Sequence, residues 1–111
     1  MQTYEVAAQQ ADALWDAMGD RTRRSILDRL SEHPMAVGEL ASVLPISQPA
    51  VSQHLKVLKD AGLVVGHSAG TKRIYRLNPV GVIALQDQLE TFWNKTLTAY
   101  KHIVETTEEN P

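Results

Sequence analysis

The chain has 111 residues, 43% of them hydrophobic and 22% charged, which suits one ordinary globular core and leaves little for a second. It contains no cysteine, which excludes a disulfide framework, a thiolate metal site and a thiol redox switch. The formal net charge of −2, taken whole, argues against a nucleic-acid partner, but the charge is unevenly placed. Residues 1–20 carry four acids and no base, residues 21–77 nine bases and four acids, and residues 78–111 two bases and five acids. The middle of the chain is therefore +5, between ends of −4 and −3, and a segregated basic segment is a functional signal. The start of the chain lacks a basic segment followed by an apolar run, so no secretory signal is expected. The longest apolar run, Val80 to Leu85, is six residues and too short to cross a membrane, so a cytoplasmic protein is expected.

In chain order, Val6, Ala7, Ala11, Leu14, Trp15 and Met18 recur at helical steps and predict a first helix over Tyr4 to Met18, ended by Gly19. Asp20 is placed as N-cap of a second helix, whose apolar stripe is Ile26, Leu27 and Leu30. His33-Pro34 closes it, because a residue before proline is pushed out of the α region. A short third helix is expected over about Val37 to Val43, stopped by Pro45. A fourth starts at the N-cap Ser47, tolerates Pro49 in its first turn and stops at Gly62. The period then shortens. Leu63-Val64-Val65 and Arg73 to Leu77 predict a hairpin around a Ser68-Ala69-Gly70-Thr71 turn. Asn78-Pro79 starts a last helix running to about Glu105, roughly 40 Å at ~1.5 Å per residue.

The expected fold is mainly α with a β-hairpin wing, in the order α-α-α-α-β-β-α. That is a single winged helix-turn-helix domain over residues 1–111, with the helix-turn-helix at 37–61 and the wing at 63–77. In the fourth helix Val51, Leu55 and Leu58 form one stripe, and 100° steps place Pro49, Gln53 and Lys56 opposite, flanked by Ala50 and Ser52. Ser47 and Gln48 stand at its N-terminus, and no acid follows until Asp60. Amides can bridge adenine edges, hydroxyls serve several bases, and a helix N-terminus favours phosphate. His54 lies beside the apolar stripe, either structural or a phosphate donor. Lys72, Arg73 and Arg76 cluster after Gly70, with His67 on the partner strand, a basic ribbon fit for a phosphate backbone or minor groove. Double-stranded DNA is the partner these two elements imply together.

The runs Asp20-x-Thr22-Arg23-Arg24-x-Ile26-Leu27, Val37-Gly38-Glu39-Leu40-Ala41, Ser47-Gln48-Pro49-Ala50-Val51-Ser52-Gln53-His54-Leu55-Lys56-Val57-Leu58 and Ala61-Gly62-Leu63-Val64, in that order, closely resemble the ArsR/SmtB family of bacterial winged-helix repressors. The resemblance covers about residues 14 to 100. It implies a homodimer that binds an imperfect inverted repeat and blocks transcription, often at its own promoter, with Gln48, Ser52, Gln53 and Lys56 as readers and the hairpin as wing. The family's Cys-Val-Cys sensing site falls on Ala36 and Gly38, which bear no ligand atom. Its C-terminal Asp-x-His-x10-His-x2-Glu zinc site falls on Leu89, Thr91, His102 and Glu105, so only the second half is present. Half a site offers too few ligands for closed tetrahedral zinc, so the chain resembles the metal-free branch and no metal or cofactor is expected. Ala36 also replaces the family's usual Ser or Thr cap on the third helix.

A last helix this long exceeds what so small a body covers. Residues 1–18 and 79–106 are therefore expected to dimerise about a two-fold axis through Leu14, Trp15, Leu89, Phe92, Trp93, Leu97 and Tyr100. Such a dimer sets two recognition helices about 34 Å apart, one DNA turn. Trp15, Phe92, Trp93 and Tyr100 could alternatively line a pocket for a hydrophobic effector, although aromatics at helical spacing favour a core or an interface. Arg21, Arg23 and Arg24 stand in a first helical turn, where cations are disfavoured, and call for an anion: DNA phosphate, Asp20 or an acid of the first helix. A winged-helix protein-interaction module is the competing function, whereas no nucleophile set, phosphate loop or pocketed carboxylate pair suggests an enzyme.

Overall fold

A computed structural model describes residues 2–109, with side chains described from 8 to 107; Val6 and Ala7 of the expected first stripe thus lie outside the described side chains. The elements are α1 Gln2–Met18, α2 Arg21–Glu32, β1 Met35–Ala36, α3 Val37–Val43, α4 Gln48–Asp60, β2 Val64–Ala69, β3 Lys72–Leu77 and α5 Pro79–Glu109. The helix boundaries follow local chemistry. Asp20 Oδ1 accepts the Arg23 N–H at 3.0 Å, and Ser47 Oγ accepts the Ala50 N–H at 3.3 Å, so both N-caps satisfy donors that a helix leaves free. Ala36 caps α3 without any side-chain bond.

The order α-α-α-α-β-β-α is corrected by one strand. Met35 and Ala36 pair antiparallel with Tyr75 and Ile74, giving a three-stranded sheet in the order β1-β3-β2. Proline frees the chain from α2, and the two residues before α3 then complete the inner edge of β3. The wing is also longer and tighter than its apolar pattern suggests. Ser68 and Ala69, expected in the turn, pair with Arg73 and Lys72, leaving a two-residue loop of Gly70 and Thr71. Gly70 takes φ 64°, the positive angle that the first central position of a type II′ turn requires. The last helix runs 31 residues, to Glu109 rather than Glu105, or about 46 Å at ~1.5 Å per residue.

The core gathers Leu14, Ile26, Leu30, Met35, Leu40, Val51, Leu55, Leu58, Leu63, Val64 and Leu85 from every layer. Leu14, expected at the dimer interface, is only 2% exposed in the single chain and belongs to its own core. α5 is anchored by its first turn. Asn78 donates from Nδ2 to the Gly62 carbonyl at 2.9 Å and accepts the Val80 N–H on Oδ1. Gly81 is buried against the same carbonyl, where no side chain fits. Beyond Leu85 the helix leaves the body, and the molecule measures 67 × 37 × 20 Å. Leu89, Phe92, Trp93, Leu97, Tyr100 and Ile103 are exposed along it.

Candidate nucleic-acid interface

α4 is held by Val51, Leu55 and Leu58, each fully buried, and this fixes which residues point outward. Ser47, Gln48, Pro49, Ser52, Gln53 and Lys56 are all exposed, so six of the seven expected reader positions on this helix share its free side. Lys56 Nζ lies 2.9 Å from Asp60 Oδ2, an exposed i,i+4 pair that the sequence reading of the helix left aside, although the spacing alone permits it. Gln48 Nε2 lies over the Cα side of Gly38 on α3, where a Cβ would stand 3.5 Å away.

His54 is placed apart from those readers. It is half-buried, and its Nδ1 stands 4.0 Å from Asp20 Oδ1, so it meets the N-cap of α2. The Arg23 backbone N–H does most to hold the Asp20 carboxyl below its usual range; partial desolvation opposes this, and the Arg23 and His54 charges add to it.

The three arginines in the first turn of α2, Arg21, Arg23 and Arg24, separate in the structure. Arg23 donates from Nε to the Ala17 carbonyl and from Nη2 to the Asp16 carbonyl, each at 2.9 Å, and its Nη1 lies 4.0 Å from Asp20 Oδ2. Arg24 donates from Nη1 to the Met18 carbonyl. The anion they meet is largely the negative C-terminal end of α1, whose last carbonyls lack helical partners. Arg21 is exposed and has no ion pair among the described residues.

The basic wing divides between two faces. Directly opposed residues of antiparallel strands share a face, so the pairs His67–Ile74, Ala69–Lys72 and Val65–Arg76 lie on one side. Arg73 lies on the other, with Gly66, Ser68 and Tyr75. Its Nε donates to Tyr75 Oη at 3.2 Å, and its guanidinium carbon is 5.7 Å from the ring centroid. Lys72 and Arg76 are exposed and unpaired among the described residues. Neither Tyr75 nor Gly66 stood out in the sequence, because their opposition depends on the two-residue turn.

Ala36, Gly38, Glu39, Lys72 and Arg73 help to line a groove of about 600 Å³ between α3 and the wing. A methyl and a hydrogen at 36 and 38 supply no donor to a metal there. His102 and Glu105 lie on the exposed tail of α5, and no group of three or more His, Cys, Asp or Glu gathers among the described residues.

Two helices joined by a tight turn, the second with a polar outer side, followed by a basic hairpin that a short strand before them completes into a three-stranded sheet, define a winged helix-turn-helix protein. Residues 20–65 match the family described as bacterial regulatory protein, arsR family. The chain is 53% identical over 94 residues to the HTH-type transcriptional regulator Rv2034 of Mycobacterium tuberculosis, covering 85% of this chain and 88% of that one. It is 37% identical over 81 residues to the transcriptional repressor SdpR of Bacillus subtilis, covering 73% and 87%. Its fold is similar to that of the homodimeric winged helix-turn-helix DNA-binding domain Mb0332 of Mycobacterium bovis (TM-score 0.65, 26% identity, 88% of this chain and 85% of that one). This chain belongs to the arsR family of DNA-binding transcriptional regulators. It is a regulator, not an enzyme.

Proposed function

We propose that the protein is a homodimeric, sequence-specific repressor that binds an imperfect inverted repeat, including one at its own promoter, without metal control. The observation that carries this reading is the outer side of α4. Gln48, Ser52, Gln53 and Lys56 are exposed together, backed by a stripe so buried that the helix presents a rigid edge. Gln53 and Gln48 read base edges, Ser47, Ser52 and Lys56 hold phosphate or base, and Pro49 shapes the first turn. Lys72, Arg73 and Arg76 on the wing reach the flanking backbone or minor groove. In this division, residues 37–61 read DNA, 63–77 flank it, and the helices over 1–18 and 79–106 dimerise.

Dimerisation is supported by the apolar side of α5. Leu89, Phe92, Trp93, Leu97 and Tyr100 would remain wet in a single chain, and Trp15 meets Phe92 edge-on with centroids 5.5 Å apart, extending that surface onto α1. The homodimeric Mb0332 fold and the repressor SdpR support the two-fold assembly and the sign of regulation. The protein acts where the bacterial chromosome lies, in the cytoplasm.

Footprinting and fluorescence anisotropy on duplex DNA from the protein's own upstream region test the reading. A protected inverted repeat, bound far more tightly than random duplex and silencing a linked reporter, is expected; equal affinity for both duplexes overturns it.

A further inference from the structure

Arg73 is the one wing cation with a fixed partner among the described residues. Its Nε bonds to Tyr75 Oη at 3.2 Å, and its guanidinium lies over the ring edge. This geometry needs the residue across the ladder. Gly66 opposes Tyr75, and a Cβ on it would stand 2.9 Å from Tyr75 Cε1 and 3.1 Å from Arg73 Nε. The ring and the guanidinium therefore lie together on bare backbone. Tyr75 is itself half-buried, packed against the core, and paired in the ladder across from Met35 of β1. An otherwise flexible exposed arginine is thus tied to the sheet that leads directly into α3.

We infer that Tyr75, seated on Gly66, is a positioning residue that holds the Arg73 guanidinium ready for DNA beside the recognition helix. This rests on the reading of the wing as a DNA contact. A long cation loses rotamer freedom when it binds phosphate or enters a minor groove, and a side chain already fixed loses less. The phenol leaves the charge intact, so the remaining donors of the guanidinium stay free for a DNA acceptor. The slot also explains why a wing strand carries glycine at a position paired on its inner side.

The test is a double-mutant cycle on affinity for the upstream duplex, using the full chain with Tyr75→Phe, Arg73→Ala and both together. Tyr75→Phe removes only an exposed-edge hydroxyl, and is expected to weaken binding about two- to tenfold while leaving the salt slope unchanged. In the Arg73→Ala background the same change should have no effect. Gly66→Ala, which displaces ring and guanidinium together, should reproduce the loss. Wild-type affinity in Tyr75→Phe, or a loss that persists undiminished without Arg73, overturns the inference while the wing reading stands. If Arg73→Ala itself binds like wild type, Arg73 is not a DNA contact; both that part of the proposed function and this inference fall.

Discussion

His54 on α4 brings its Nδ1 to 4.0 Å from Asp20 Oδ1, so α4 touches the side chain that caps α2. The same carboxylate accepts the Arg23 N–H at 3.0 Å, while the Arg23 guanidinium reaches back to the last carbonyls of α1. Three helices therefore meet at one acid. The exposure of Gln53 goes with contacts on the far side of its own helix, where His54 and Leu55 meet α2 and the core.

Asp20 makes the stability of this junction pH-dependent. Its carboxyl lies below the ordinary value of 3.8 in the folded chain, so the unfolded chain takes up the proton first. Its charged form thus contributes stability that is complete above that ordinary value and is lost as pH falls through the lower folded value. Asp20→Asn keeps a capping oxygen but removes the charge. The melting temperature of the variant should lie below wild type near pH 6, and the gap should close toward pH 3. A gap of constant size between those pH values would mean that the carboxylate charge has no part in the junction.

Gly81 allows the last helix to pack against the turn between α4 and β2. A methyl there would stand 1.8 Å from the Gly62 carbonyl oxygen, and that is backbone, which cannot turn aside. Gly81→Ala should destabilise the fold by about 1–3 kcal/mol, the range for overpacking a filled site, seen as a lower urea midpoint. Gly38→Ala is the contrasting case. Its nearest neighbour is the tip of Gln48 at 3.5 Å, and alanine should stabilise α3 by up to about 1 kcal/mol. Equal midpoints for the two variants would show that the packing of α5 on the Gly62 carbonyl is not tight.

The contrast between these glycines bears on what the sequence displays. Pro34, Pro45 and Gly62 act through their own backbone preferences, so the ends of α2, α3 and α4 are legible one residue at a time. β1 was not, because two residues are too few to show alternation and Met35-Ala36 pairs only once β3 is in place. Leu14 and Trp15 stand side by side on one apolar stripe, yet Leu14 fills the chain's own core and Trp15 is only half-buried, beside Phe92. Periodicity finds the stripe; it does not tell which chain covers each part. The seat of Arg73 on Tyr75 and Gly66 depends on register, which a one-residue change in turn length would invert.

Glutamate at Trp93 and Leu97 should break the proposed dimer. Both side chains are exposed on the single chain and make no part of its buried core, so the monomer should keep its helicity by circular dichroism. Light scattering should report half the wild-type mass. Affinity for the inverted repeat should fall about 10²–10⁴-fold, because two linked half-site contacts become independent ones. A variant that stays dimeric would place the interface elsewhere.

The proposed readers on α4 differ in the DNA groups they are expected to touch, and substitution should separate them. Gln53→Ala should lower discrimination at one base position by about 1–3 kcal/mol while leaving random duplex unaffected. Lys56→Ala should weaken specific and random duplex alike and reduce the slope of log affinity against log salt by about 0.9, one phosphate contact. Asp60 supplies the opposite sign. Its carboxylate holds Lys56 Nζ at 2.9 Å, with both side chains well exposed, and must give way when the lysine meets phosphate. Exposed i,i+4 pairs contribute only about 0.3–0.5 kcal/mol, so Asp60→Asn should tighten binding to every duplex by about twofold with no change in base preference. If Asp60→Asn instead weakens binding, Lys56 is oriented by its partner rather than masked by it.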